Sequence, residues 1–312
     1  MKIYDAHCDI IEKITDFGKQ LYKNDCHCDL ERMDRFDWFF QVFAVCVYPE
    51  FMGIEAFKRA NLMIDKFHEQ LIINSDKISL CKCYKDIKDA EITGKMGALL
   101  SLEGASPLMG RAENLEFFFQ KGVRLITLTW NHKNELGNGV LTEDEGLTDF
   151  GIDIVRQMNE KGIVIDVSHL SDRGFYDVCK YSQKPFAATH SNSRKICENR
   201  RNLTDDMIIC LSKQNGYIGL NLYPYFITGK MTASTDDIVR HIEHIISVGG
   251  ENVLGLGCDF DGIDYVPTEI DEISKVGKIA ERLLQLNYSQ EITEKIMYKN
   301  FDQFLKNALL HN

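Results

Sequence analysis

The sequence lacks an apolar run of the roughly 18 residues that a membrane-spanning helix needs, and it has no hydrophobic tail at its C-terminus. It also leaves no room for a secretory leader, because Met1 opens directly on an apolar, strand-like run that leads to His7 and Asp9. We therefore expect a cytoplasmic protein that does not engage a membrane.

Proline is scarce, with five residues in 312, and no Pro-, Ser- or Gly-rich linker or internal repeat divides the chain. The glycine-rich phosphate turn typical of open, doubly wound sheets is missing as well. Apolar residues make up 44% and charged residues 27%, as in ordinary globular proteins. Residues 1–312 are therefore expected to form one domain.

Basic residues are outnumbered, since 36 Lys and Arg oppose 47 Asp and Glu for a formal net charge of −11. Affinity for a phosphate backbone depends on clustered Lys and Arg, so a nucleic-acid partner is not expected. A small anionic substrate stays compatible with this charge, because one local basic group can bind it.

The ten cysteines are irregularly spaced, and several lie in apolar, strand-like runs. A chain of this length needs no disulfide framework, so the cysteines are expected to be reduced. The Cys-His-Cys motif at 26–28 and the Cys-Lys-Cys motif at 81–83 lack the ligand spacing of a structural zinc site.

Short apolar runs alternate with longer amphipathic stretches along the chain. Near-continuous apolar runs suit parallel strands that are buried on both faces. Eight such runs predict strands at 2–6, 39–48, 96–102, 124–129, 162–167, 185–189, 216–222 and 253–257. Helices are predicted at 53–73, 114–121, 147–160, 172–182, 204–213, 235–248, 271–286 and 289–310. This order predicts an α/β fold, a closed (β/α)₈ barrel of the TIM type.

Polar side chains that can bind metals stand at the ends of five predicted strands. They are His7, Asp9, Glu103, His169, His190 and Asp259. In a (β/α)₈ barrel the carboxyl ends of the strands meet at one face, where active sites lie. The sequence therefore predicts that these side chains converge. The remaining histidines are expected on loops or helix faces: His27, His68, His132, His241, His244 and His311.

Imidazole and carboxylate ligands suit Zn²⁺, and this set is typical of a metal-dependent hydrolase with two ions. His7 and Asp9 are two residues apart, so both side chains point to the same side of a strand and can bind one ion. Glu103 can offer one carboxylate oxygen to each ion. His169 and His190 would then complete the second site.

These motifs resemble those of the membrane dipeptidase (renal dipeptidase) family of amidohydrolase-like barrels. The resemblance covers most of the chain. It is carried by Asp-Ala-His-Cys-Asp at 5–9, Leu-Glu-Gly at 102–104, Thr-Leu-Thr at 127–129, Ile-Asp-Val-Ser-His at 165–169, Thr-His-Ser at 189–191, Arg-Arg-Asn-Leu-Thr-Asp-Asp at 200–206 and Gly-Cys-Asp-Phe-Asp-Gly at 257–262. Each motif alone is weak, but this set in this order is specific.

The resemblance implies a dipeptidase with two zinc ions, whose bound hydroxide attacks the peptide bond of a dipeptide. His7 and Asp9 match the first-zinc ligands of the family. Glu103 matches the bridging glutamate, and His169 and His190 match the second-zinc ligands. Members tolerate a D-residue at the C-terminal position and often form homodimers, so both are expectations for this chain.

Two further residues gain a role from the resemblance. Asp259 matches the acid near the metal-bound water and could take the water's proton and deliver it to the leaving amine, and the bridging Glu103 is expected to be catalytic as well. Arg201 matches the arginine that holds the substrate's C-terminal carboxylate. Without the resemblance, Arg201 would be assigned as a solvated charge in the polar loop 194–201.

One departure from the family pattern concerns substrate binding. Where mammalian-type enzymes have a histidine after the fourth strand, this chain reads Leu-Thr-Trp-Asn-His at 128–132. Trp130 takes the place of that histidine and is expected to wall the pocket. Asn131 or His132 would supply the missing polar contact.

Three other functions compete with a dipeptidase. Many amidohydrolases that act on small amides, such as N-acyl amino acids, use a His-x-His pair and a lysine on the fourth strand. This chain has His-Cys-Asp at 7–9 and no lysine in the predicted fourth strand. A metal-dependent deoxyribonuclease is disfavoured by the net charge. A non-catalytic barrel would be expected to lose part of the ligand set, which is complete here.

Overall fold

The strands of the computed structural model, which describes residues 1–310, are all parallel. Their bounds are β1 Lys2–Asp5, β2 Trp38–Cys46, β3 Ile78–Leu80, β4 Met96–Glu103, β5 Val123–Thr127, β6 Val164–Asp166, β7 Ala187–Ala188, β8 Tyr217–Leu220 and β9 Leu254–Leu256. Eight of them close a barrel in the order β1-β2-β4-β5-β6-β7-β8-β9, and β9 pairs with β1. The predicted TIM-type barrel is therefore confirmed. His311 lies outside the described residues.

The strand β3 is an addition that the sequence pattern did not predict. It pairs only with the first residues of β4, where Ile78 is the register partner of Met96. Strand β5 pairs with β4 from Leu100 onward, so β3 fills the same edge of β4 before β5 begins. Three residues are too few to show a hydrophobic period, which explains the omission.

Helices alternate with the strands around the barrel. Their bounds are α1 Ile10–Phe17, α2 Leu30–Met33, α3 Ile54–Ile73, α4 Tyr84–Ile92, α5 Ala112–Gln120, α6 Asp149–Lys161, α7 Asp172–Tyr181, α8 Asp205–Lys213, α9 Pro224–Ile227, α10 Thr235–Gly249, α11 Lys278–Gln285, α12 Gln290–Glu294 and α13 Asn300–Ala308. The predicted helix at 289–310 is divided by a π-helical turn, Lys295–Lys299, between α12 and α13. The helix predicted at 271–286 begins only at Lys278. None of the helices within residues 1–310 is long and apolar enough to cross a membrane.

Glycine allows β8 and β9 to approach the end of β7. A Cβ atom at Gly219 would lie 1.8 Å from the carbonyl oxygen of Thr189, and one at Gly257 would lie 1.7 Å from the same atom. Side chains cannot approach a backbone oxygen so closely, so only glycine fits at both positions. Thr189 directly precedes His190, so this packing fixes where His190 enters the mouth of the barrel.

A disulfide joins Cys179 in α7 to Cys210 in α8, across 31 residues of sequence. The expectation that the cysteines are reduced is therefore wrong for this pair, and the other eight are free thiols. The two helices pack against each other, which brings the two thiols together. Irregular spacing in the sequence contained no signal for this pairing.

The C-terminal helix α13 packs against aromatic side chains of the strands. Phe301 stacks on Tyr217 with ring centroids 4.4 Å apart and meets the edge of Phe40 at 6.1 Å. At the start of this helix the buried Asn300 side chain donates hydrogen bonds to two backbone carbonyls, those of Glu251 and Leu254, both at 2.7 Å. Asn300 thereby ties α13 to the strand β9.

We predict that Asn300→Ala lowers the free energy of unfolding by about 2 kcal/mol, because the buried carbonyl of Leu254 and the partly buried carbonyl of Glu251 lose their donor. Urea denaturation followed by circular dichroism measures the change. Asn307→Ala, on the exposed side of the same helix, is the matched control and should be nearly neutral. Equal stability of the two variants would contradict this role of Asn300.

Candidate active site

The six predicted strand-end side chains lie together at the carboxyl end of the barrel. Glu103 is the last residue of β4, and the others follow their strands by two to four residues. Each is buried, with at most 8% of its surface exposed: His7, Asp9, Glu103, His169, His190 and Asp259. The predicted convergence of these side chains is thus what the fold produces, because parallel strands place their carboxyl ends at one face.

His7 stands at the centre of a group of carboxylates. Its Nε2 lies 3.2 Å from Oδ2 of Asp9, 3.5 Å from Oε2 of Glu103 and 3.8 Å from Oδ1 of Asp259. Both ring nitrogens of His7 and Oδ1 of Asp9 are buried without a hydrogen-bond partner among residues 1–310. Buried polar atoms without partners are costly, so these atoms fit a site for a cation.

The second oxygen of Glu103 faces a pair of imidazoles. Its Oε1 lies 3.0 Å from Nε2 of His169 and 3.4 Å from Nε2 of His190. The two Nε2 atoms are 2.8 Å apart. One carboxylate therefore joins the His7 group to the His169–His190 group, and each of its oxygens serves one group.

Hydrogen bonds to the far side of each imidazole fix its orientation. Nδ1 of His169 donates to Oδ1 of Asn131 at 2.7 Å, and Nδ1 of His190 donates to the hydroxyl of Thr189 at 2.8 Å. The Thr189 hydroxyl in turn donates to the buried carboxylate of Asp166 at 2.7 Å. These bonds put the ring proton on Nδ1, so the Nε2 lone pairs point at the site.

Burial, followed by the positive charge of Arg201, lowers the pKa of His169 to about 4. Burial and the neighbouring His7 lower the pKa of His190 well below its ordinary value. Both rings are therefore neutral near pH 7, the form that binds metals. Burial alone would raise the pKa of Glu103, but the facing histidines hold it well below its ordinary value, so the carboxylate is ionised.

The backbone is strained at three positions after the strands. His169, Asp259 and Asp261 have φ values of +66°, +63° and +68°, in the left-handed region that non-glycine residues rarely adopt. Each such residue costs on the order of 1 kcal/mol, and strain of this kind clusters at functional sites. At Gly262 a Cβ atom would lie 2.2 Å from Oδ2 of Asp9, so this turn passes directly over the carboxylates.

Asp259 is held by a side chain that the sequence analysis missed. Nδ2 of Asn221 donates to Oδ2 of Asp259 at 2.8 Å, which leaves Oδ1 facing His7. Burial raises the pKa of Asp259 to about 6. Asn221 directly follows β8 in the structure, but the strand predicted at 216–222 extended past it, so it did not stand out as a strand-end residue in the sequence.

Arg201 is buried rather than solvated, with 7% of its surface exposed. Its guanidinium donates to the backbone oxygen of His190 at 3.2 Å and lies over the ring of Phe226 at 5.3 Å. Within residues 1–310 it makes no ion pair, and its Nε has no hydrogen-bond partner. Its neighbours in the loop differ, since Arg194 is paired with Asp172 and Arg200 is exposed.

A cavity of about 150 Å³ opens beside the carboxylates and His169. Its wall includes Trp130, which stacks on the His169 ring with centroids 6.1 Å apart, and Asn131. Aromatic rings of Tyr48 and Phe226 line it as well. The thiol of Cys46, at the end of β2, also lines this cavity and was not predicted as a site residue.

The three residues considered in place of the family histidine therefore do not all line the same cavity. Trp130 and Asn131 line the cavity at the carboxylates. His132 is exposed and lines a neighbouring cavity of about 170 Å³ on the other side of Trp130, with ring centroids 5.8 Å apart. The structure therefore does not bring His132 to the cluster itself.

The sequence and fold were compared with known proteins. A profile of the membrane dipeptidase family, peptidase family M19, matches residues 1–310. An uncharacterised dipeptidase of Schizosaccharomyces pombe is 30% identical over 298 residues, which cover 88% of this chain and 70% of that protein. An uncharacterised protein of Klebsiella pneumoniae, from the region 5′ of pqqA, is 32% identical over 252 residues, or 77% of this chain and 93% of that protein.

A solved metallopeptidase from Rhodobacter sphaeroides, liganded with a phosphinate mimic of the dipeptide L-Ala-D-Ala, has the same fold. It matches this chain with a TM-score of 0.92 at 23% identity, and the match covers 99% of both chains. The family profile and the dipeptidase relative confirm the family resemblance stated from the sequence. The chain belongs to the membrane dipeptidase family, peptidase family M19, and is a metallo-dipeptidase of that family.

Proposed function

We propose that this protein hydrolyses the peptide bond of small dipeptides at a centre of two zinc ions. His7 and Asp9 would hold one ion, His169 and His190 the other, and Glu103 both. The observation that carries the proposal is the position of Glu103, whose two oxygens face these two groups separately at 3.0–3.5 Å. Histidine nitrogens and carboxylate oxygens that lie this far from one another are suitable ligand atoms for Zn²⁺.

When bound, the ions would act as Lewis acids that polarise the scissile carbonyl and make water a nucleophile near neutral pH. The chain itself must then move one proton. Oδ1 of Asp259 faces His7 while Asn221 holds Oδ2, which supports a role in which Asp259 would take a proton from the attacking water. It would return that proton to the amine as the C–N bond breaks.

Arg201 would bind the carboxylate at the C-terminus of the substrate. A buried guanidinium without an ion-pair partner among the described residues offers its fork to a planar anion. The Phe226 ring, over which the guanidinium lies, lines the cavity of about 150 Å³ beside the carboxylates, and a cavity of this size admits two residues more readily than a longer peptide. Trp130 and Asn131 would form the substrate wall, and His132 would support the Trp130 ring from the neighbouring cavity.

We extend to this chain the acceptance of a D-residue at the C-terminal position. The support is the Rhodobacter sphaeroides metallopeptidase, which was solved with a mimic of L-Ala-D-Ala. The alternative function is hydrolysis of another small amide, such as an N-acyl amino acid, at the same centre. An N-acyl amino acid keeps the carboxylate that Arg201 would bind but lacks a free amino group.

The deciding experiment is hydrolysis of L-L dipeptides, L-D dipeptides and N-acyl amino acids before and after chelation. We expect cleavage of the dipeptides, loss of activity with chelator and recovery on addition of Zn²⁺. Cleavage of the N-acyl amino acids alone would assign the alternative function. Activity that survives complete removal of metal would overturn the proposal.

We predict that Glu103→Ala lowers the bound metal from two equivalents to at most one and abolishes turnover, because both ions lose their shared ligand. Metal content by plasma mass spectrometry and dipeptide hydrolysis measure the two effects. Glu113→Ala, at an exposed glutamate in α5, is the control and should change neither. A Glu103→Ala protein with two ions and normal turnover would contradict the bridge.

Removing the Arg201 guanidinium should weaken binding of the substrate carboxylate. We predict that Arg201→Ala lowers kcat/KM about 100-fold on a dipeptide, mainly through KM, in line with the loss of one buried charged partner. The same change should have little effect on the corresponding dipeptide amide, which has no carboxylate. Arg200→Ala, at the exposed neighbour, serves as the control. Equal losses on acid and amide would show that Arg201 has only a structural role.

A further inference from the structure

Cys46 occupies the end of a strand from which no metal ligand was predicted. It is the last residue of β2, and its register partner is Glu103, the last residue of β4. Register partners on neighbouring parallel strands point to the same face of the sheet. The Cys46 thiol therefore points into the mouth of the barrel beside the Glu103 carboxylate.

The thiol completes a compact group of donor atoms. Sγ of Cys46 and one oxygen each of Asp9 and Glu103 all lie within 4.8 Å of one another. All three side chains are buried, with 4%, 3% and 3% of their surfaces exposed. Independently of the thiol, Oδ1 of Asp9 is buried and has no hydrogen-bond partner within residues 1–310. Asp9 and Glu103 also face His7, with carboxylate oxygens 3.2 and 3.5 Å from its Nε2, so the thiol shares two neighbours with that imidazole.

We propose that Cys46 is a sixth protein ligand of the metal centre and binds the ion held by His7, Asp9 and Glu103. This inference rests on the proposed two-metal function. On binding, the S–H bond breaks, a metal–sulfur bond forms and the proton passes to solvent. A coordinated thiol is deprotonated in this way because the ion is the largest local charge.

A thiolate ligand would set the metal preference of this half of the centre. Soft sulfur donors favour Zn²⁺ and other thiophilic ions, whereas carboxylate and water ligands favour Mg²⁺ and Mn²⁺. The two halves would then differ chemically: one has imidazole, carboxylate and thiolate donors, and the other has two imidazoles and a carboxylate. The half that contains Cys46 would discriminate more strongly against Mn²⁺.

Cobalt-loaded protein tests the inference without relying on activity. Co²⁺ bound to any protein ligands gives visible d–d absorption, whereas a sulfur-to-cobalt charge-transfer band in the near ultraviolet requires a thiolate ligand. Spectra are recorded for the wild-type protein and for Cys46→Ser, Cys46→Ala and Cys28→Ala. Cys28 is the control because it forms a separate buried group with Cys8 and Asp261 that could also bind cobalt.

We expect the wild-type protein and Cys28→Ala to show the charge-transfer band and both Cys46 variants to lose it. Retained d–d bands in those variants would show that they still fold and bind cobalt. Wild-type d–d bands without a charge-transfer band would overturn the role of Cys46 and leave the two-metal function standing. Loss of the band in Cys28→Ala alone would also overturn it. A wild-type protein that binds no cobalt would overturn both proposals.

Discussion

The site depends on keeping three carboxylates buried around one imidazole. Asp9, Glu103 and Asp259 all approach Nε2 of His7 within 3.8 Å, in a place where none is more than 8% exposed. Burying like charges so close together is unfavourable unless positive charge compensates them. The protonated imidazole of His7 can supply one positive charge in the metal-free chain, and accordingly Glu103 and Asp9 hold the pKa of His7 well above its ordinary value despite burial.

Divalent cations would compensate the negative charge of the carboxylates more strongly than the His7 proton does. An ion between His7 and the carboxylates needs the imidazole lone pair, so metal binding would displace the His7 proton. A proton on His7 would therefore compete with a metal ion for this site. The metal-free and metal-bound forms would differ in the number of bound protons as well as in the number of ions. Because an ion that binds only the folded chain also stabilises it, this part of the barrel would be more stable with metal than without.

The rest of the barrel is organised so that the ligands need not move. Asp166, at the end of β6, accepts hydrogen bonds from the hydroxyls of Thr127 and Thr189. It also accepts hydrogen bonds from the backbone N–H groups of Ser168 and Thr189. It thereby links the ends of three neighbouring strands and orients the ring of His190 through Thr189. On the other side of β7, Gly219 and Gly257 pack closely against the carbonyl oxygen of Thr189 and so fix its position. Orientation is thus fixed by groups that never touch the proposed ions.

Most of the barrel and of the candidate site could be predicted from the sequence, because a parallel strand that is buried on both faces appears as a continuous apolar run. All eight barrel strands were found in this way, and the polar residues at the ends of five of these runs marked the candidate site. Short elements such as β3 and α9 were missed because three or four residues show no period. Pairing across the fold was also out of reach: neither the Cys179–Cys210 disulfide nor the short separation of Cys46 from Glu103 leaves a pattern in a single sequence.

Arg201 shows why charge alone is a poor guide to such a site. In the sequence it is one of four cations in a polar loop of an acidic protein, and the local pattern predicts a solvated residue. Only the fold shows that its guanidinium is buried beside the cluster of histidines and carboxylates and that no anionic side chain among residues 1–310 pairs with it. A substrate carboxylate approaching the metal-free site would meet two cations, Arg201 and the protonated His7, and three acidic side chains. Two divalent ions would reverse the sign of that balance, so the affinity of Arg201 for an anionic substrate would depend on metal although the proposed ions do not touch this residue.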